Sequence, residues 1–258
     1  MIQEQITIKT RVAAKSSTPV INIKGLYKSF GKNDVLKGVD ITVKKAENLV
    51  MLGKSGSGKS ITIKCLVGLV EADKGDIKVF DTDITKLGYN QLNEIRLRIG
   101  FLFQNSALYD SMTVRQNLEF PLKRHSKKMS SKKVEDVIME TLENVGLAES
   151  IDKMPSELSG GMRKRIGLAR TLILKPEIIL YDEPTTGMDT ITSREISELI
   201  LSIQKKIKTT SIIITHDMAC AKLTGDRLVI LKDGVIEAEG SYETLEESDD
   251  DWVRSFFI

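Results

Sequence analysis

Cysteine is scarce in this sequence, and its scarcity narrows the possible functions. Only two of the 258 residues are cysteine, Cys65 and Cys220, and they lie far apart without CxxC or metal-site spacing. A cysteine-based metal centre is therefore not expected, and Cys65 is predicted to be a small core residue. This cysteine usage fits a reduced, cytosolic compartment.

An excess of charge of one sign is also absent. Lysine and arginine total 38 against 36 aspartates and glutamates, which gives a net charge of +2. Nucleic-acid-binding domains usually carry a strong basic patch, so this balance argues against a nucleic-acid partner. Long coiled-coil heptads are missing as well.

Long apolar runs are the third absence. No stretch approaches the roughly 18 apolar residues of a membrane-spanning helix, and the N-terminus lacks the basic-then-apolar layout of a signal peptide. Any membrane contact is therefore expected through a partner. The chain is long enough to form one large domain, or a domain with an inserted subdomain.

What the sequence does contain is a phosphate-binding motif between an apolar run, 49–52, and a helical-looking stretch, 61–69. The motif consists of Gly53, Lys54, Ser55, Gly56, Ser57, Gly58, Lys59 and Ser60. Its spacing and context are those of a P-loop, whose backbone N–H groups and helix N-terminus hold phosphate oxygens. We predict that Lys59 reaches the β- and γ-phosphates and that the Ser60 hydroxyl ligates Mg²⁺. A glycine-rich turn of the same spacing is the alternative.

A second anion site of the same kind is predicted further along the chain. Ser159, Gly160 and Gly161 open a helical run that continues to Leu174, so free N–H groups, a hydroxyl and the helix dipole meet again. One nucleotide does not need two such loops. The pattern therefore indicates two nucleotide sites shared between two molecules.

Two predicted strands end in side chains suited to phosphate chemistry. Residues 178–183 form a buried-type strand that ends at Asp182 and Glu183. Asp182 suits Mg²⁺ or its waters and Glu183 suits a base that orients a water, although acidic pairs also cap loops. His216 follows the strand 210–215 at its carboxyl end, where open parallel sheets place ligands; a structural imidazole is the alternative.

The first third of the chain predicts antiparallel sheet around this core. Alternating apolar residues over 20–43 indicate two strands, and another strand is predicted over 75–80. Tyr27 and Phe30 are placed in the turn region between the first two strands. There an aromatic ring either stacks on a nucleobase or packs as an ordinary strand residue.

The middle of the chain predicts a helical insertion. A strand over 99–103 ends at Gln104, and the character of the sequence then changes. Apolar residues at helical spacing predict a helix over 131–147, with Gly146 as its C-terminal stop.

In the last third, Thr192 and Glu195 fit a capping box that opens a helix, and residues 227–238 predict a β-hairpin. The aromatic residues near the C-terminus are expected either to dock on the domain or to serve a partner.

Together these motifs resemble the nucleotide-binding subunit of an ABC transporter, over about residues 20–245. The resemblance rests on the P-loop, Gln104, Leu158-Ser159-Gly160-Gly161, Asp182-Glu183, Gly187-Met188-Asp189 and His216, in that order. It implies an α/β fold with a RecA-like P-loop NTPase core, an antiparallel β subdomain and a helical subdomain inserted at about 105–170. We expect a flexible leader over 1–18, an ABC ATPase domain over 19–245 and a C-terminal tail over 246–258.

The resemblance also implies roles within one subunit. Glu183 would be the catalytic base, Gln104 would sense Mg²⁺ and the lytic water, and His216 would contact the γ-phosphate. Asp182 would hold the metal with Ser60 and Gln104. Phe30 would lie over adenine, and Ile61 joins the nucleotide-binding residues, although many relatives carry threonine there.

Other implied roles need a second subunit. In the head-to-tail dimer of the family, two ATP molecules lie between the subunits. Ser159, Gly160 and Gly161 of one subunit would meet the γ-phosphate held by the P-loop of the other. Asp189 would lie at the dimer interface.

Finer details resemble the ATPases of Mla-type systems, which work with MCE-domain proteins to move phospholipids between bacterial membranes. They include Met162 in place of the usual glutamine, and the segment 103–114. The resemblance implies a homodimeric, peripheral ATPase on the cytoplasmic face of the bacterial inner membrane, using ATP and Mg²⁺. Its partners would be an integral permease and an MCE-domain protein that handle phospholipid, and no nucleic acid.

Alternative functions stay open at this point. One is an ABC transporter for another cargo, such as an amino acid or a lipoprotein, and another is a soluble ABC-type ATPase acting on nucleic acid or the ribosome. A non-hydrolysing scaffold is disfavoured because every catalytic position is intact. The groove for the permease is expected just after Gln104, with core packing as the alternative for its apolar candidates: Ala107, Leu108, Tyr109, Met112 and Val114.

Overall fold

The structure is a computed structural model that describes residues 19–125 and 129–257. The expected leader 1–18 and the final residue Ile258 lie outside the described residues. Within the described ranges, no helix has the length and apolar content that a membrane crossing requires.

The described chain contains ten strands and nine α-helices. In chain order the strands are β1 (Ile21–Phe30), β2 (Asn33–Val43), β3 (Asn48–Leu52), β4 (Lys74–Val79), β5 (Thr82–Asp83), β6 (Ile99–Leu102), β7 (Ile178–Asp182), β8 (Thr210–Ile214), β9 (Arg227–Lys232) and β10 (Val235–Gly240). The α-helices are α1 (Lys59–Leu66), α2 (Tyr89–Leu97), α3 (Val114–His125), α4 (Ser131–Asn144), α5 (Gly160–Leu172), α6 (Thr190–Ile207), α7 (Met218–Thr224), α8 (Tyr242–Glu246) and α9 (Asp251–Arg254).

A four-stranded antiparallel sheet has the order β2-β1-β4-β5. Ile21 and Ile23 are fully buried on its inner face, as the alternating pattern predicts. The predicted turn region was wrong for Tyr27, which lies inside β1 opposite Lys37, and Phe30 is the last residue of that strand. The two strands are connected more tightly than the sequence pattern suggested.

The second sheet has six strands in the order β10-β9-β3-β8-β7-β6. All neighbours pair in parallel except β10, which forms the predicted hairpin with β9. Every residue of β3, β7 and β8 is buried because the sheet is covered on both faces. Parallel strands end at the same edge, so the segments after β3, β6, β7 and β8 come together there.

The helices enclose separate apolar cores. One core joins the antiparallel sheet to α1 and one face of the parallel sheet, and a second packs the other face against α6. A third lies among α3, α4 and α5. The predicted stop of α4 is confirmed, since the helix ends before Gly146, which has a left-handed φ of 70°.

The C-terminal aromatic residues dock on the domain, one of the two expected outcomes. Val253 of α9 is buried in the second core, and Trp252, Phe256 and Phe257 pack against it. Phe257 also meets Tyr242 edge to face, with ring centroids 5.0 Å apart. The last described helix is therefore part of the folded domain.

Asn117 of α3 organises the loop that follows Gln104. Its side chain is fully buried, accepts a hydrogen bond from the Tyr109 N–H at 2.8 Å, and donates to the carbonyls of Tyr109, Met112 and Thr113. A buried amide with this many partners fixes backbone that has no sheet or helix ladder. The loop 109–113 therefore takes its shape from one side chain.

We expect Asn117→Ala to lower the free energy of unfolding by about 2–4 kcal/mol, because a buried N–H and several carbonyls lose their partner. Urea denaturation measures the change. The matched control is Asn144→Ala, which removes an exposed hydrogen bond from Lys206 and is expected to cost about 0.5 kcal/mol or less. Equal stability of the two variants would contradict the role given to Asn117.

Candidate functional site

The glycine-rich loop connects the end of β3 to the start of α1. Gly53 and Gly58 have φ of 150° and 109°, and a Cβ on Gly53 would lie 2.4 Å from the Leu231 carbonyl oxygen. A Cβ on Gly58 would lie 2.6 Å from a methyl carbon of Leu36. Only glycine meets both demands, so the tight course of this loop depends on glycine at these two positions.

Lys59 is the first residue of α1, and its ammonium group reaches back across the loop. The Nζ donates hydrogen bonds to the carbonyls of Gly53, at 2.7 Å, and Lys54, at 3.0 Å. Burial lowers the pKa of Lys59, and the nearby carboxylates of Glu183 and Asp182 oppose that shift. The cation is thus held at the mouth of the loop, where phosphate oxygens are predicted to bind.

Ser60 and Asp182 join α1 to the end of β7. The Ser60 hydroxyl donates to the Asp182 carboxylate over 2.9 Å, and Asp182 is buried. Mg²⁺ takes oxygen ligands and is usually held by one or two carboxylates together with substrate phosphates. The described ranges contain no cluster of three or more His, Cys, Asp or Glu side chains that could hold a metal ion by themselves. One hydroxyl and one carboxylate are enough for Mg²⁺ when substrate phosphates and waters supply the other ligands.

Glu183 follows β7 with a backbone that is unusual for glutamate. Its φ of 52° lies in the left-handed region, a conformation that costs about 1–3 kcal/mol and needs support from its surroundings. Support comes from the Glu183 N–H, which donates to the Ile214 carbonyl at 2.9 Å. The carboxylate is held too, by the Thr186 hydroxyl at 3.0 Å and by His216 Nδ1 at 2.8 Å.

Apart from the buried Asp182, these groups line one cleft of about 660 Å³ at the carboxyl edge of the parallel sheet. Of the predicted site residues it contains Gly53, Lys54, Ser55, Gly56, Gly58, Lys59, Ser60, Ile61, Gln104, Glu183 and His216. Ser57 lines an adjoining pocket of about 370 Å³ on the outer side of the loop. A glycine-rich loop, a basic side chain, a hydroxyl and an oriented carboxylate therefore face one space.

Besides Asp182 and Ser57, five other predicted residues are not on the wall of this cleft: Phe30, Ser159, Gly160, Gly161 and Asp189. Phe30 is half exposed and lies 5.3 Å from the Lys28 ammonium. Ser159 caps α5 by accepting the Met162 N–H at 3.2 Å, and the helix begins at Gly160 as predicted. Gly161 follows in the first turn, so this second anion site does not share the cleft of its own chain.

Asp189 also lies outside the cleft, at the start of α6. Its carboxylate accepts the N–H groups of Ile191 and Thr192, both at 3.0 Å, and these bonds hold its pKa below the usual value. The predicted capping box of Thr192 and Glu195 is therefore wrong. Thr192 lies inside the helix, and Glu195 pairs with Arg165 instead.

Several side chains at the site were not predicted from the sequence, Thr186, Phe256 and Trp252 among them. Thr186 holds Glu183, Phe256 lines the cleft, and Trp252 lines the adjoining pocket beside 55–57. A Glu-x-x-Thr spacing was available as a signal for Thr186. The aromatic residues gave none, because some 200 residues separate them from the loop they contact.

Known proteins similar to this chain include ATP-binding subunits of transporters. The sequence matches the family described as "ABC transporter" over residues 36–186. It is 42% identical over 236 residues to the "Probable ribonucleotide transport ATP-binding protein mkl" of Mycobacterium leprae, covering 92% of this chain and 68% of that protein. It is 37% identical over 265 residues to "Protein TRIGALACTOSYLDIACYLGLYCEROL 3, chloroplastic" of Arabidopsis thaliana, covering 96% and 76%.

The fold has solved counterparts as well. One is "Dimeric structure of a post-hydrolysis state of the ATP-binding cassette MJ0796 bound to ADP and Pi". It superposes with a TM-score of 0.78 at 31% identity, covering 86% of this chain and 98% of that one.

We expect the intrinsic fluorescence of Trp252 to change saturably when ATP and Mg²⁺ are added. Trp252 is the sole tryptophan of the chain, and it lies beside the loop, with the Lys232 ammonium 4.2 Å from the ring centroid. A titration checks this, and Trp252→Phe should remove the signal. Unchanged fluorescence at ATP concentrations that saturate the protein in calorimetry would contradict the placement of α9.

Proposed function

Because the chain belongs to the ABC transporter family and is an ATP-binding ATPase domain of that family, we propose that it hydrolyses ATP to power phospholipid transport through a separate permease. The observation that carries the hydrolytic part is the orientation of Glu183, whose carboxylate faces the P-loop cleft and is held by two side chains. The α/β fold is that of ABC ATPase cassettes.

Each residue of the cleft has a distinct task in this proposal. Backbone N–H groups of 53–58 bind phosphate oxygens, and the Lys59 ammonium offsets their charge. Glu183 orients the attacking water and accepts its proton, while Thr186 and His216 keep the carboxylate in place. Ser60 and Asp182, with Gln104 nearby, would hold Mg²⁺, which would supply positive charge to offset that of the phosphate oxygens.

We propose a head-to-tail homodimer with two ATP molecules at its interface. Ser159, Gly160 and Gly161 form a capped helix start outside the cleft of their own chain, which suits them for the partner's nucleotide. The similar solved cassette is dimeric and carries ADP and Pi. Asp189 is proposed at the same interface, His216 at the γ-phosphate and Phe30 at the adenine.

The proposed permease contact lies after Gln104. Tyr109 and Phe120 are partly exposed and meet edge to face with ring centroids 5.3 Å apart, and the Arg170 guanidinium lies 4.6 Å from the Tyr109 ring centroid. Ala107, Leu108 and Met112 remain candidates beside them. Val114 does not, because it is fully buried in the helical core.

Phospholipid is the proposed cargo on two grounds. The segment 103–114 and Met162 resemble the Mla-type ATPases, and the Arabidopsis relative carries the name of a galactolipid. The mycobacterial relative is named for ribonucleotide transport, so a non-lipid cargo is the second candidate. In the favoured proposal the chain lies on the cytoplasmic face of the inner membrane with a permease and an MCE-domain protein.

We expect Glu183→Gln to reduce ATP turnover by about 10²–10⁴-fold, because the amide orients a water but cannot accept its proton. ATP affinity, measured by calorimetry, should stay within about threefold of wild type. A matched control is Glu177→Gln, which removes an exposed pairing with Arg98 at the opposite end of β7 and should leave turnover unchanged. Wild-type turnover in Glu183→Gln would remove this residue from the role.

The cargo is tested by purifying the chain from its native membranes in mild detergent and identifying the proteins and lipids that accompany it. Recovery of a permease, an MCE-domain protein and phospholipid is the expected result. A permease of another type without phospholipid would refute the lipid proposal and leave the ATPase assignment intact.

A further inference from the structure

Lys164 is a buried cation with no task in the mechanism proposed above. It lies on α5, five residues after Ser159, and only 2% of it is exposed to solvent. Its Nζ donates a hydrogen bond to the Gln104 carbonyl at 2.6 Å and lies 3.4 Å from the Glu183 carbonyl. One ammonium group thus touches the backbone of two residues that line the ATP cleft.

The pairing of β6 with β7 explains why one side chain can reach both carbonyls. Leu102 lies opposite Tyr181 in this parallel pair. Gln104 and Glu183 each follow two residues later, so both strands have ended and their next carbonyls are free of the sheet ladder. Lys164 bridges the gap between these two segments.

Two further residues of α5 lie against the segment that begins at Gln104. A Cβ on Gly167 would lie 2.8 Å from the Ser106 Cβ, and Arg170 donates a hydrogen bond to the Ala107 carbonyl. Ser106 and Ala107 have left-handed φ values of 60° and 49°, a conformation that surrounding contacts must hold. The segment 104–107 is therefore held by contacts from α5 in addition to its own turn hydrogen bonds.

A buried ammonium is costly unless its hydrogens are matched. Burial lowers the pKa of Lys164 to about 8, and the carboxylates of Asp182 and Glu183 act in the opposite direction. An apolar side chain would fill the same space without that cost. A lysine at this position is thus poorly explained by packing alone.

We propose that Lys164 is a positioning residue for ATP hydrolysis, tying the helix that Ser159 opens to Gln104 and Glu183 so that a shift of α5 moves both walls of the cleft. The inference rests on the proposed hydrolysis at this site. It links the face predicted to meet the partner's ATP with the chain's own catalytic base. Misplacement of a reacting group by about 1 Å can lower a rate by about 10²-fold.

The test compares three variants in the transporter purified from its native membranes. Lys164→Met removes the donor at similar volume, and Lys164→Arg keeps a cationic donor. Arg96→Met is the control, because Arg96 also donates to two backbone carbonyls, those of Val67 and Gly68 at 2.9 Å each, away from the cleft. The readouts are kcat, KM for ATP, ATP affinity by calorimetry, and amide hydrogen exchange.

For Lys164→Met we expect kcat to fall by about 30- to 100-fold with KM and ATP affinity within about threefold of wild type. Hydrogen exchange should quicken over 104–107 and stay unchanged in α1. Lys164→Arg should have a kcat within about tenfold of wild type, and Arg96→Met should have the wild-type kcat.

Three results would count against the inference. A wild-type kcat in Lys164→Met would overturn it. A rise in hydrogen exchange across the whole chain, together with lost ATP affinity, would also overturn it, because that result indicates a structural role only. Failure of Lys164→Arg to recover any activity while still binding ATP would do the same. If the wild type itself does not hydrolyse ATP, the proposed function fails, and the exchange over 104–107 alone then decides whether Lys164 holds that segment.

Discussion

Parallel hydrogen bonding among β3, β8, β7 and β6 holds the starts of four loops at one edge of the sheet. The cleft combines the P-loop with Gln104, Glu183 and His216, which together span more than 160 positions of the sequence. Strand register brings these segments into one cleft. Full burial of β3, β7 and β8 keeps that register fixed, since a slip would move polar residues into the core.

The loops that follow β6 and β7 at the carboxyl edge of the sheet have strained backbone conformations. Glu183, Ser106 and Ala107 all adopt left-handed backbone conformations without being glycine. Each is held by contacts from another element: Ile214 of β8 for Glu183, and α5 for the other two. Such strain is maintained where a side chain must point in a direction that a relaxed turn would not give it. The geometry of this edge of the sheet therefore depends on packing elsewhere in the chain.

Local signals in the sequence were sufficient for much of this architecture. The P-loop, the start of α5 at Gly160, the stop of α4 near Gly146 and the β9–β10 hairpin all follow from short motifs whose chemistry acts within a few residues. Helix α3 lies within the helical subdomain expected at about 105–170, but its own bounds were not predicted, and Pro121 lies in its interior, where proline normally ends a helix.

Errors arose where a local rule had two possible readings or where contacts are distant. Thr192 and Glu195 satisfied the capping pattern, but Asp189 offers the better acceptor three residues earlier. Val114 was left open between the permease groove and core packing, and it packs in the core; periodicity alone does not say which neighbour covers an apolar residue. Lys164, Trp252 and Phe256 meet the site through tertiary packing, which no spacing in the sequence encodes.

The hydrogen bonds of Lys59 to the carbonyls of Gly53 and Lys54 have a consequence for nucleotide exchange. Ordering a lysine side chain costs up to about 2 kcal/mol of rotamer entropy, and here the fold has already met that cost before any ligand arrives. In the proposed nucleotide complex, the same two carbonyls compete with phosphate oxygens for the ammonium group. The Lys59 side chain is thus ordered before any ligand binds. When a nucleotide leaves, the same two carbonyls again accept hydrogen bonds from the ammonium group. Release therefore does not leave a buried charge without hydrogen-bond partners.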